Sequence, residues 1–405
     1  MSSRRTVLGT LGSLCGTLGL SGCMRVLGQQ QTTTADLPPN PHAEDLPDRQ
    51  HAWDDALRTD RHGNPLPPRH NRVLLLDLET TPDDDAARTV ERAMRTLESA
   101  YEWGPDGLFH MLAWGSQYFE RDGRLDAAPV RQPRVISRTD EPELLSFDAA
   151  VVLASDVSSH LTAAESALRG NRETLNDTPV DDHLGDVFRL RDRRTGFIGE
   201  GLPAAHTDAE GVPTDAVPEA APLFTGFFSG RRGTQASEDR VTITEGPYAG
   251  GTTMHLSHLR ESLSEWWGMS DGERVARMFS PDFDPEDVAD FGTTVPFEEG
   301  VADRVAEQGV AGHHEKVARA REDGEPIVLR RDFNTVDGGR AGVHFLSLQA
   351  SLADFEKTRR AMNGWYLRDD HEDVTDRANN GLLNFITVTS RANFYVPPRS
   401  ARAFP

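Results

Sequence analysis

Cysteine is nearly missing from this chain of 405 residues, which has only Cys15 and Cys23. Beyond residue 23 there is therefore no disulfide and no thiolate metal site, so any metal must be held by histidine or carboxylate. Lysine is as scarce: Lys316 and Lys357 are the only two, and the rest of the 43 basic residues are arginine. Against them stand 65 acidic residues, for a net charge of -22. A chain with no basic face cannot neutralise phosphates, which argues against nucleic acid and anionic membrane surfaces as partners. Such an acidic, lysine-poor surface suits a salt-adapted source, where salt screens the repulsion between carboxylates. A GC-rich genome, which favours arginine codons, would give a similar bias. Long apolar runs are missing as well. The stretch from Val7 to Leu20 is too short and too glycine-rich to cross a bilayer as a stable helix. There is no phosphate-binding glycine loop and no Gly-x-Ser-x-Gly elbow.

What is present begins with an export signal. Arg4-Arg5, a weakly apolar middle and Leu20-Ser21-Gly22-Cys23 have the order of a twin-arginine signal that ends in a lipobox. The expectation over residues 1–23 is export by that route, with Cys23 lipidated and the protein held at the outer face of the cell membrane through this anchor alone. An ordinary cleavage site with a chance cysteine is the alternative. Residues 24–70 are polar and proline-punctuated and read as a flexible tether, although Trp53 is an unusual residue for a pure linker. Arg72–Leu78 has the pattern of a buried strand, and Thr81-Pro82-Asp83-Asp84-Asp85 that of a helix start. Apolar residues at Val90, Ala93, Met94 and Leu97 keep helical spacing. Leu108–Phe119 and Phe147–Ala154 read as strands, and Ser158–Leu168 as a helix. A similar series follows, with strands at 252–259, 326–331 and 342–348 and helices at 261–267 and 353–362. The expected fold is α+β: two duplicated ferredoxin-like domains with antiparallel sheets, over 71–215 and 216–405, of the dimeric α+β barrel type.

The second half carries a more specific pattern. Gly250-Gly251-Thr252-Thr253-Met254-His255-Leu256-Ser257-His258-Leu259-Arg260 precedes Leu263-Ser264-Glu265-Trp266 and Met269-Ser270-Asp271-Gly272-Glu273. Then come Gly312-His313-His314-Glu315-Lys316-Val317-Ala318, Ile327-Val328-Leu329-Arg330-Arg331-Asp332-Phe333 and Gly342-Val343-His344-Phe345-Leu346-Ser347-Leu348-Gln349. In order and spacing, over residues 226–362, this series resembles the dye-decolourising (Dyp-type) peroxidase family. That family has a glycine-led strand GG-T/S-Y-x-V-x-R-x-I-R, a segment SHVRLA, a segment ILRRGYSY and a strand GLLFVCFQ. The amino-terminal half matches in pattern only.

Together with the export signal, the resemblance implies an exported peroxidase-like oxidoreductase with haem b. It would reduce hydrogen peroxide and oxidise an external electron donor, and it leaves a homo-oligomer open. It makes His314 the haem-iron ligand, with His313 one register away, and Arg330 the distal cation. On the residues alone, the two histidines also read as a surface pair before a charged helix. The family signature G-x-x-D-G has its counterpart at Gly226-Phe227-Phe228-Ser229-Gly230, so the catalytic Asp is replaced by Ser229. A rival placement, Gly196–Gly201, supplies an acid but has one residue too many and lies too far upstream. Splitting a peroxide needs a base to move a proton and a cation to stabilise the departing charge. Arg330 can be the cation. A serine is no proton acceptor near neutral pH. Asp332, two residues on along a strand, would share the face of Arg330. Restoring the acid by Ser229→Asp is expected to raise turnover. The alternative is a haem-binding or haem-free relative without catalysis, anchored at the cell surface. His255 and His258 lie three apart on a strand and make a poor metal pair. Trp266-Trp267 reads as core packing.

Overall fold

The computed structural model describes residues 46–297 and 300–405, within a unit spanning residues 32–405. The signal, with Arg4, Arg5 and Cys23, lies outside the described residues. Among the described residues no helix is long and apolar enough to cross a membrane.

The amino-terminal half runs β1 (His70–Leu78), α1 (Asp84–Ala100), β2 (Phe109–Gly115), β3 (Ala149–Ser155), α2 (Ser158–Leu168) and β4 (Phe188–Phe197). Its strands lie in the order β4-β1-β3-β2, all antiparallel. This is the ferredoxin-like arrangement. α1 starts where Asp83 accepts a hydrogen bond from the Ala86 amide, and Asp84 and Asp85 follow in the first turn, where the helix dipole favours negative charge.

The carboxy-terminal half repeats the plan. It contains β5 (Thr252–Glu261), α3 (Asp271–Met278), α4 (His313–Ala318), β6 (Leu329–Arg330), β7 (Phe333–Thr335), β8 (Gly342–Gln349), α5 (Leu352–Asn363) and β9 (Ile386–Val396). Here the order is β9-β5-β8-β7, again antiparallel. The halves join edge to edge twice. Asn334 of β7 pairs with Phe197 of β4, and Phe394 and Tyr395 of β9 pair with Gly115 and Trp114 of β2. The sheet therefore closes into a barrel, which leaves no free edge along the main strands.

Alternation along each strand separates the faces. Val73, Leu75, Met111, Val152, Leu256 and Phe394 belong to one buried cluster inside the barrel. Leu74, Leu76, Leu112, Trp114, Val151 and Leu153 point the other way and pack with Val90, Met94 and Leu97 of α1 and Leu161 of α2.

Three expectations need correction. The tether ends well before residue 70. Trp53 is 2% exposed, stacks on Phe109 at 4.8 Å and joins the barrel interior. Gln50 holds that segment in place by donating to the carbonyls of Leu112 and Pro397. The strand expected over 108–119 stops at Gly115, and Ser116–Arg121 is helical. In the segment 326–331 only Leu329 and Arg330 are in strand, paired with Leu348 and Ser347 of β8.

Candidate functional site

The outer face of the carboxy-terminal half-sheet is not filled by its helices. A cavity of about 250 Å³ lies between the sheet and α4 and α5. The floor is set by strand alternation: Ser257, Leu259 and Glu261 from β5, and Val343 and Phe345 from β8. A register shift between Val388 and Ser390 lets both Val388 and Arg391 of β9 reach the same space. Phe227, Phe279, Val317, Ile327, Phe355 and Met362 make most of the rest apolar.

Both predicted histidines line this cavity. They open α4, whose start is fixed by Glu315. That side chain accepts the Gly312 amide at 2.7 Å and pairs with Arg304 at 2.9 Å. Gly312 is needed here, because a Cβ would meet the Phe279 carbonyl oxygen at 1.8 Å. His314 Nε2 lies 3.2 Å from the Val295 carbonyl oxygen, which can only accept, so Nε2 carries the proton and Nδ1 keeps its lone pair. Burial first, helped by Arg321 and Arg330, pushes its pKa down to about 4. His313 is pushed well down by burial, then by Lys316 and Arg330, and its buried Nδ1 has no partner among the described residues. Both imidazoles are thus neutral, the form that binds a metal.

Ser229, Arg330 and Asp332 meet on another part of the wall. Trp266 and Trp267 hold the loop bearing Ser229 through indole N–H bonds to Thr225 O at 2.9 Å and Phe224 O at 3.0 Å. They are packing residues, as expected, and they also position this loop. Gly226 sits in that loop with φ +88°, a conformation that favours glycine. The rival Gly196 lies within β4, where a Cβ would meet the Asn334 carbonyl oxygen at 2.0 Å across the β4–β7 seam. Arg330 donates from Nη2 to Ser229 O at 2.5 Å and to Thr234 Oγ1 at 3.2 Å. Ser229 Oγ donates to Asp332 Oδ2 at 3.1 Å. Burial raises the Asp332 carboxyl, and the Arg330 guanidinium opposes that rise. A second, less apolar cavity of about 620 Å³ shares Phe228, Ser229, Arg330 and Asp332 with the first, so these residues form the partition between the two.

Two residues at the cavity escaped the sequence reading. Glu261 is fully buried, its Oε2 has no partner among the described residues, and burial with the nearby Asp332 pushes it up to about 8. Arg391 is 1% exposed and sits on the floor. Glu261 read as the first residue of a helix, whereas β5 runs through it, and Arg391 depends on a partner 251 residues away. Neither leaves a local signal. His255 bonds Asn393 and Ser257, while His258 packs on His344 at 4.7 Å, so the two do not converge. Among the described residues no three His, Cys, Asp or Glu side chains gather as a metal site.

Residues 68–398 match the family of unknown function DUF7405. The chain belongs to that family. No curated protein matches the sequence. Among solved structures, the fold is similar to a DyP-type peroxidase from Cellulomonas bogoriensis, with a TM-score of 0.56 and 16% identity, covering 87% of this chain and 100% of that one. It is also similar to a variant of DypB from Rhodococcus jostii in complex with heme, with a TM-score of 0.54 and 15% identity, covering 88% and 99%. A dye-decolorizing protein from V. cholerae gives a TM-score of 0.52 and 13% identity, covering 86% and 98%. At these identities the likeness is one of fold, and it agrees with the duplicated ferredoxin-like architecture.

Proposed function

We propose that this DUF7405 protein binds haem in the carboxy-terminal cavity and acts as a peroxidase-like oxidoreductase. One observation carries the reading: neutral histidines and a half-buried Arg–Ser–Asp group face one largely apolar cavity, although 84 to 103 residues separate Ser229 from the others. Haem iron needs one protein ligand, and an imidazole is a usual one. His314 is that ligand in this proposal, with its other ring nitrogen donating to the Val295 carbonyl, the kind of support a ligating histidine uses. The orphaned Nδ1 of His313 makes it the runner-up.

When bound, haem supplies the electron transfer between peroxide and donor. The protein's own groups handle the proton and the charge. Peroxide enters from the second, less apolar cavity and meets the partition. Asp332 in its ionised form takes a proton from one peroxide oxygen and returns it to the departing one, and Ser229 steers the carboxylate through its hydroxyl. Arg330 stabilises the charge that develops. Asp332 thus stands in for the acid that Ser229 replaces.

A second reading, haem binding without efficient turnover, draws on Arg330, whose donors already reach Ser229 O, Thr234 O and Thr234 Oγ1. Peroxide consumption by the haemin-loaded protein separates the two. Turnover that falls in Arg330→Leu and Asp332→Asn, with haem retained, supports catalysis; a loaded protein that consumes no peroxide leaves only binding. Export by the twin-arginine route and a lipid anchor at Cys23 complete the proposal, since that route carries folded, cofactor-loaded chains. Mass analysis of the membrane fraction tests the anchor.

A further inference from the structure

Arg391 and Arg359 share one acid. Arg359 Nη2 donates to Asp140 Oδ2 at 2.7 Å, and Arg391 Nη2 donates to the same oxygen at 3.1 Å. All three side chains are buried, with exposures of 6%, 1% and 5% for Arg359, Arg391 and Asp140. Both arginines line the cavity. Two guanidinium ions against one carboxylate leave a net positive charge in an apolar wall, where a buried charge is unfavourable unless paired. The surplus has an address: Nε and Nη1 of Arg391 are buried and have no partner among the described residues. Arg359 also bonds Asn363, so it is better satisfied. Glu261, the cavity acid with an unpartnered oxygen, has Asp332 and not Arg391 as its charged neighbour. The strand register adds a second point. Ser257 stands where the glycine-led motif GG-T/S-Y-x-V-x-R-x-I-R has its first arginine, and Arg391 is the cross-strand partner of Ser257. The guanidinium reaches this part of the floor from β9 instead of β5.

We propose that Arg391, backed by Asp140 and Arg359, is an anion subsite that takes the carboxylate of an otherwise apolar ligand. The assignment rests on the reading of this cavity as a ligand site, and it does not require that the ligand be haem. A propionate of haem and the head group of a fatty acid offer the same chemistry, a carboxylate on an apolar body. Arginine suits it because its charge is permanent and its donors lie in a fixed plane.

The test compares acids with their neutral counterparts. Purified protein is titrated with haemin and with haemin dimethyl ester, and separately with hexadecanoate and hexadecanol, following haem absorbance and tryptophan fluorescence. The same series is run on Arg391→Met and Arg391→Lys, with circular dichroism to show that each variant is folded. The expected result is that wild type prefers an acid over its neutral partner by about tenfold or more, that Arg391→Met abolishes the preference, and that Arg391→Lys restores part of it. If hexadecanoate shows this dependence and haemin does not bind, the subsite stands and the haem reading falls. If haemin binds and neither the ester nor Arg391→Met changes its affinity, the haem reading stands and the subsite falls. No preference for either acid, or no binding of either, also overturns the subsite.

Discussion

The two halves of the barrel share one strand order and differ on their outer faces. In the amino-terminal half Leu74, Leu112, Val151 and Leu153 are at most 1% exposed, closed over by α1 and α2. In the carboxy-terminal half the outward residues Leu259, Val343 and Phe345 are only half-buried, because they face the cavity. Only α5 lies along that sheet as a full-length helix. The other helix of the ferredoxin-like plan is broken into short pieces, including α3 and α4, and α4 brings His313 and His314 to the cavity. A duplicated unit thus does two jobs: one copy is packed shut for stability, and the other is held open around buried polar groups.

Chemistry gives the largest expected difference between the halves. Asp332→Asn should lower peroxide turnover of the haemin-loaded protein by roughly 10²–10⁴-fold while haem stays bound, as expected on losing a general base. No acid of the amino-terminal half should matter to that rate, so a comparable loss in Glu165→Gln would break the comparison. The structure also changes the expectation for Ser229→Asp. A carboxylate there would lie against Asp332, and like charges raise each other's pKa. Turnover should therefore not rise, and its acid limb should move to higher pH. A clear gain in rate would show that Asp332 is not the working acid.

Packing comes next. Met94→Ala, in the closed core, should cost about 2–5 kcal/mol in chemical denaturation, as large-to-small core changes do. Leu259→Ala, which only enlarges an existing cavity, should cost about 1 kcal/mol or less, because few contacts are lost. Equal costs would mean that the cavity is closed in solution.

Glu261 sharpens the comparison through pH. Its carboxyl is held near 8 by burial and the nearby Asp332, against an ordinary 4.5. Between those values the folded state keeps a proton that the unfolded chain has released, so this group lowers stability as pH rises and levels off above pH ~8. Glu261→Gln should flatten that slope and raise the Tm on the alkaline side, while leaving the acid side nearly unchanged. A slope unaltered by the substitution would place the titrating group elsewhere. A comparably small effect belongs to the loop anchors: Trp267→Phe, at a half-buried position, loses one hydrogen bond to the Phe224 carbonyl and should cost about 1 kcal/mol.

Much of this was legible because it is periodic or local. The α1 cap at Asp83, the alternation of β5 and β8 and the β6 residues Leu329 and Arg330 leave local patterns, as does the spacing of Arg330 and Asp332. What was hidden depends on distant partners. β4 escaped notice because Arg189, Arg191, Asp192, Arg193 and Arg194 obscure its alternation. Three of these arginines are paired across the fold, Arg189 and Arg191 with Asp77 and Arg193 with Glu165. Trp53 lies in a polar, proline-rich stretch, and only the barrel interior explains it. Glu261 and Arg391 look like ordinary surface charges until the fold buries them. The role of Asp332 beside Ser229 could be suspected from strand parity, but the 3.1 Å contact could not.

The most direct test of the account is haemin titration of the purified protein, comparing wild type with His314→Ala, His313→Ala and the amino-terminal control His110→Ala. A Soret band that saturates at one haem per chain in wild type and His110→Ala, and is lost in His314→Ala, is the predicted result. A protein that takes up no haem, or one whose band survives loss of His314, would contradict it.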